Sequence, residues 1–159
     1  MKTWIKNPKA ILADNAENGL VIENDKIIEL VAKGATPSVT IDKTIDASQH
    51  VIIPGLVSTH HHYYQTLTRA FHDSLDKELF AWLTTLYSVW SGLTPELLYT
   101  ASKTAMAELL LSGCTTSADH HYVFPKGLEN GTDIQVMAAR EMGMRSMITR
   151  GSMNLSQKD

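Results

Sequence analysis

The chain has 159 residues, 43% of them apolar and 19% charged, with 14 Lys and Arg against 17 Asp and Glu. That composition is long and apolar enough for a soluble globular chain with a real core, and it excludes a disordered polymer. A net charge of −3 excludes the basic surface of a nucleic-acid-binding module, and no apolar run is long enough to span a bilayer.

Cys114 is the only cysteine, which rules out an intramolecular disulfide and points to a reducing cytoplasm. Met1-Lys2-Thr3-Trp4 opens no signal-peptide apolar core. The first fifty residues read as short strands. Ile5 to Leu12 is weakly apolar, and Asp14 to Gly19 is a polar turn. Val21-Ile22 and Ile27-Ile28 flank Glu23-Asn24-Asp25-Lys26, a hairpin signal with Asn-Asp at its tip. Gly34 to Ser38 breaks the pattern, and Val39, Ile41 and Ile45 predict another strand. Asp46 to His50 then turns into the apolar Val51-Ile52-Ile53.

After Pro54 the period changes. Asp76 is a candidate N-cap for a helix with Leu79, Leu83, Leu86 and Trp90 on one face. Thr94-Pro95-Glu96 restarts a helix, with Thr94 at the N-cap and Pro95 in the first turn. Its stripe of Leu98, Ala101, Ala105 and Leu109 ends at Gly113. Cys114 to Ala118 reads as a buried strand that ends in Asp119-His120-His121. Thr132-Asp133-Ile134-Gln135 has the spacing of a capping box for a helix through Met142, and Met144 to Arg150 is a further strand. Gly151 to Asp159 follows directly, where a loop would lead into further structure. Strand, helices, strand, helix, strand is the alternation of a parallel α/β sheet or barrel.

Five of the seven histidines fall in two clusters, His60-His61-His62 and His120-His121, both at the ends of predicted strands. Ligands in α/β folds gather at that edge. Side chains of an extended chain alternate, so His60 and His62 share one side and His61 faces the other. Two imidazoles so placed can reach one zinc ion, although two do not complete a site. A bare His-x-His is more often incidental; its position after Pro54-Gly55 and an apolar strand reverses the odds. Gln65 can donate and accept, as the edge of a planar heterocycle requires. Tyr63, Tyr64 and Trp82 offer stacking surface or core. Asp119 is a candidate base, ligand or loop cap. Arg69 and Glu108 read as pairing or solvation, and no nucleophilic constellation or phosphate loop is present.

Ile45-Asp46-Ala47, then Val51-Ile52-Ile53-Pro54-Gly55-Leu56-Val57-Ser58-Thr59-His60-x-His62, resembles the opening of the amidohydrolase superfamily. Ser112-Gly113-Cys114-Thr115-Thr116-Ser117-Ala118-Asp119 resembles the second barrel strand of its nucleobase and triazine aminohydrolase branch. His62 to Ala70 and Ala118 to Tyr122 look closest to the 8-oxoguanine deaminases and the hydroxytriazine ethylaminohydrolases of that branch.

The resemblance implies an α/β fold, the N-terminal part of a metal-dependent (β/α)8 TIM barrel plus part of a small β-sandwich. Residues 1–53 would belong to the sandwich, and residues 54–159 to the first three or so βα units of an incomplete barrel. A complete barrel takes about 250 residues, so the chain is expected to be truncated. His60 and His62 match the metal ligands. Gln65, and also His121 and Trp82, are the candidate substrate contacts. No catalytic residue is expected within this chain, because the family's proton shuttles and remaining ligands lie on later strands. Zinc, or alternatively iron, would acidify a water that attacks the amine-bearing ring carbon of a free oxo-purine, 8-oxoguanine above all, and releases ammonia. The substrate would be a small heterocycle and water, with no nucleic acid or membrane partner, and the full-length protein would be a cytoplasmic homo-oligomer. The alternatives are a hydroxytriazine aminohydrolase or dehalogenase, and an inactive 159-residue fragment.

Overall fold

The computed structural model describes residues 1–152. The loop expected to lead on from Gly151 therefore falls, from Met153 onward, outside the described residues. The chain divides into two compact units, Met1–Pro54 and Gly55–Asp159. No helix among the described residues is long and apolar enough to cross a membrane.

In the first unit β1 (Lys2–Lys6), β3 (Gly19–Glu23), β4 (Lys26–Leu30) and β5 (Lys43–Asp46) form one sheet in the order β4-β3-β1-β5. The two short strands β2 (Ala10–Ile11) and β6 (Val51–Ile52) pair in parallel beside it in sequence as a second ladder. The β3–β4 hairpin turns at Asn24-Asp25, where Asn24 takes φ 56°; asparagine tolerates that left-handed geometry better than most residues. Trp4, Val21 and Val31 form the core. The strand expected over Val39, Ile41 and Ile45 is shorter than its apolar pattern. Val39 and Ile41 pack on the Trp4 cluster from irregular backbone, and only Lys43–Asp46 pairs with β1.

In the second unit β7 (Leu56–Ser58), β8 (Cys114–His121) and β9 (Arg145–Arg150) form a parallel sheet in that order. Helices α1 (Leu79–Trp90), α2 (Pro95–Leu111) and α3 (Gly131–Met142) fill the connections. The alternation of α and β expected from the sequence is the architecture observed. The period of two along β8 separates two environments: Ser117, Asp119 and His121 are buried on the helix-covered face, while His120 is exposed on the opposite, open face. By register, Val57 of β7 and Met147 and Thr149 of β9 share that open face, and Val57 and Met147 are more than 60% exposed there.

Two apolar clusters hold the helices on the covered side. Tyr64, Leu86, Trp90, Leu98, Leu128 and Ile134 form one; Tyr63, Ala105, Met106, Cys114, Ala138 and Met144 form the other. Thr94 caps α2 as its spacing requires, its hydroxyl accepting from Leu97 N at 3.2 Å. The other two caps differ from expectation. α1 begins at Leu79 with Glu78 as its N-cap and no side-chain cap bond, while Asp76 sits outside it at φ 56°. α3 has Asn130 at its N-cap, and the Thr132–Gln135 capping box does not form. Gln135 is buried and donates instead to Asp119 on β8, 16 residues away in sequence. A buried carboxylate outbids a helix end for that amide.

Candidate metal centre and substrate cleft

β7 ends at Ser58, so the histidine triplet lies in the segment that leaves the strand, before a 3-10 helix over Tyr63–Thr68. The expected strand does not extend through the triplet. The backbone stays extended enough, with His62 at φ −132° and ψ 85°, for the side chains to alternate nonetheless. The His60 and His62 rings meet edge to face at 4.9 Å, while His61 packs against Tyr63 at 5.0 Å.

β8 fixes this segment through two consecutive residues. His120 N donates to the His61 carbonyl at 3.0 Å, and His62 Nδ1 donates to the His120 carbonyl at 2.7 Å. Asp119 Oδ1 accepts from Tyr63 N at 2.5 Å, and its Oδ2 accepts from Gln135 Nε2 at 2.8 Å. The bond from His62 to a carbonyl, which has no proton to give, puts the ring proton on Nδ1 and leaves the Nε2 lone pair free. Metal-binding histidines take that arrangement, with the second nitrogen held by a carbonyl or carboxylate. Burial, followed by the neighbouring His60 and His120, lowers the His62 pKa, against the raising effect of its bond to the His120 carbonyl. The neutral ligand form is thereby favoured. The two rings fit a zinc ion in donor type. They are two ligands, and the described residues contain no group of three or more His, Cys, Asp or Glu able to hold a metal.

A cleft runs past the triplet, lined by His60, His61, His62, Gln65, Thr66, Arg69 and Glu108. Arg69 pairs with Glu108 at 2.5 Å in its wall, both more than half exposed. Such a pair contributes little to stability. The sequence offered Arg69 and Glu108 only as pairing or solvated residues; their place in the cleft depends on α2 packing beside the loop, which no local pattern encodes. His61 has its pKa lowered by burial first and by His62 and Arg69 next, with Glu108 opposing.

Gln65 lies in the cleft, its Nε2 donating to the Tyr64 and Tyr122 hydroxyls at 3.4 Å each. Tyr122 in turn meets the His62 ring edge to face at 5.2 Å. The structure thus brings His60, His62 and Gln65 together. His121 and Trp82 are elsewhere. His121 is fully buried, 4.7 Å from the Phe124 ring and 5.4 Å from that of Tyr64, and burial lowers its pKa to about 4. Trp82 packs on Trp90 at 5.5 Å. Neither lines the cleft. Asp119, left open between base, ligand and cap, is an anchor for the histidine segment. Burial raises its pKa to about 6, against the lowering effect of the Tyr63 and Gln135 bonds. The sequence signal for it was its parity: position 119 shares the covered face with Ser117 and His121.

Comparison with known proteins adds to the geometry. The sequence profile described as "Amidohydrolase family" matches residues 51–159. The chain is 56% identical over 161 aligned residues to an 8-oxoguanine deaminase of Pseudomonas aeruginosa, covering 99% of this chain and 36% of that protein. It is 36% identical over 105 residues to hydroxydechloroatrazine ethylaminohydrolase of Pseudomonas sp. strain ADP, covering 64% of this chain and 22% of that protein. Among solved structures it resembles atrazine chlorohydrolase from Arthrobacter aurescens TC1 complexed with zinc. That match has a TM-score of 0.79 and 25% identity, and covers 98% of this chain and 37% of that one. The chain thus spans about a third, or less, of the length of these relatives.

Proposed function

The chain belongs to the amidohydrolase family, and on that premise we propose that a protein of its relatives' full length is a metal-dependent hydrolytic deaminase of a free oxo-purine, 8-oxoguanine or a close analogue. The observation that carries this reading is the 56% identity, over 99% of the chain, to the Pseudomonas aeruginosa enzyme of that name.

His60 and His62 would hold the metal, zinc in the first instance. When bound, the metal supplies Lewis acidity, which lets water attack an amine-bearing ring carbon at neutral pH. His62 offers Nε2 because the His120 carbonyl takes Nδ1–H. Asp119 keeps the segment in place through Tyr63 N. Gln65 would orient the heterocycle, its amide nitrogen already bonded to two tyrosine hydroxyls, which leaves the carbonyl oxygen as its acceptor for the ring. Further ligands and the groups that move protons to the ring nitrogen and the leaving ammonia would come from later strands. In that frame the first unit belongs to a small β-sandwich, and the β7, β8 and β9 units open the barrel.

The test is ammonia release from 8-oxoguanine by protein of the relatives' full length, lost on chelation and restored by zinc. A second reading, a hydroxytriazine aminohydrolase, is favoured by the 36% identity to the ethylaminohydrolase. Alkylamine release from a hydroxytriazine with no activity on 8-oxoguanine would select it. Inactivity on both would overturn the function.

A further inference from the structure

His120 is not used by the proposed chemistry except through its backbone, yet its side chain is held with care. The alternation along β8 sends it to the open face of the sheet, opposite the buried Asp119 and His121, and register pairs it with Thr149 on β9. Its Nδ1 lies 2.7 Å from Thr149 Oγ1. That hydroxyl has one proton and donates it to the Asp119 carbonyl at 3.3 Å. It therefore accepts from the ring, so His120 carries its proton on Nδ1 and presents a lone pair at Nε2.

Three neighbours surround this ring. The His120 ring lies 6.1 Å from the His62 ring and 5.6 Å from that of Tyr122, tilted 31° to the latter. Residue 151 is a glycine packed against this ring: a Cβ built there would sit 2.7 Å from Tyr122 Cβ and 2.9 Å from both Nε2 and Cε1 of His120, so no larger residue fits without displacing them.

We propose that His120 Nε2 is a substrate-reading acceptor that takes a ring N–H of the heterocycle bound beside His60 and His62, with Thr149 as the positioning residue that fixes its tautomer. This deepens the proposed function and rests on it. Oxo-substituted purines and hydroxytriazines carry ring N–H donors, and an acceptor of fixed tautomer favours them over rings that present a lone pair at the same place. A site that leaves such a lone pair facing Nε2 loses one hydrogen bond and gains a repulsion.

The experiment uses zinc-loaded protein of the relatives' full length with 8-oxoguanine, and the hydroxytriazine as the second probe. Steady-state constants and bound zinc are measured for wild type, His120→Ala, Thr149→Val and Thr149→Ser. The expected result is a KM about fivefold higher for His120→Ala, the value of one neutral hydrogen bond. Bound zinc is unchanged and kcat falls less than KM rises. Thr149→Val raises KM by about threefold and Thr149→Ser restores it, which a merely structural role for residue 149 would not require. An active wild type whose KM is unchanged in His120→Ala overturns the role of His120 and leaves the function standing. Loss of zinc in His120→Ala also overturns it, by making the residue a metal ligand. A wild type inactive on both compounds overturns the function and, with no substrate to read, the His120 role as well.

Discussion

Asp119 and His121 are two residues apart on the same covered face of β8, and burial moves their pKa values in opposite directions. Asp119 is raised from 3.8 to about 6, and His121 is lowered from 6.5 to about 4. Between pH 4 and 6 the folded protein therefore holds a proton on Asp119 that the unfolded chain has lost, and lacks one on His121 that the unfolded chain has gained. The two counts cancel, and these residues leave stability nearly level over that window. Removing either exposes the other. Asp119→Asn leaves only the lowered histidine, whose stabilisation is present above pH 6.5 and is lost as pH falls towards 4, by about 3 kcal/mol. His121→Leu leaves only the raised carboxylate, so stability increases by about as much as pH falls from 6 towards 4. Urea unfolding of the metal-free protein across pH 4 to 7 checks the pair, and three parallel curves would refute it. At this scale the sequence read some roles and missed others for one reason. The meeting of the His60 and His62 rings was legible because their relation is i to i+2. The roles of Asp119 and His120 depend on Tyr63, Gln135 and Thr149, partners 16 to 56 residues away that no local spacing reveals.

The elements were legible wherever a local rule had no competitor. Thr94-Pro95 sits ahead of a strongly apolar helix, and the hydroxyl has nothing better to bond than Leu97 N. Gly113 and Gly143 end α2 and α3 with φ of 85° and 69°, a geometry that penalises any residue with a Cβ. The failed expectations share a different feature. Gln135 has the spacing of a capping box but lies on the buried side of α3, where Asp119 claims it. Asp76 has the chemistry of an N-cap but precedes a segment in which Lys77 and Glu78 stay outside the helix. Opposite outcomes follow at the two positions. Thr94→Ala is expected to cost about 1 kcal/mol by orphaning the Leu97 amide. Asp76→Gly is expected to stabilise by up to about 1 kcal/mol, because it relieves a left-handed backbone and removes no cap. Thermal melting of both variants separates the readings. A loss of stability in Asp76→Gly as large as in Thr94→Ala would restore Asp76 as the cap.

On the scale of the whole molecule, the parallel sheet β7-β8-β9 has helices on one face only. The open face carries His120, Thr149, Met147 and Val57, and the two outer strands have unpaired edges among the described residues. The His60–His62 pair sits at the end of the same sheet, and no group of three or more His, Cys, Asp or Glu able to hold a metal occurs among the described residues. A catalytic zinc takes three protein ligands and an open position, and each ligand left out costs affinity. The isolated 159-residue chain is therefore expected to bind zinc far more weakly than protein of the relatives' full length. It is expected to be inactive on 8-oxoguanine and to self-associate through its strand edges. Competition against a chromophoric chelator gives the first quantity, ammonia release the second and light scattering the third. The expectation turns on His60→Ala and His62→Ala, which should abolish whatever residual zinc binding the isolated chain shows and leave its melting temperature within a degree or two. If the isolated chain instead retains zinc through gel filtration, or deaminates substrate, then a complete site exists within these residues. The parity that singles out His60 and His62 would then have missed a ligand close at hand, with His120 the first to test.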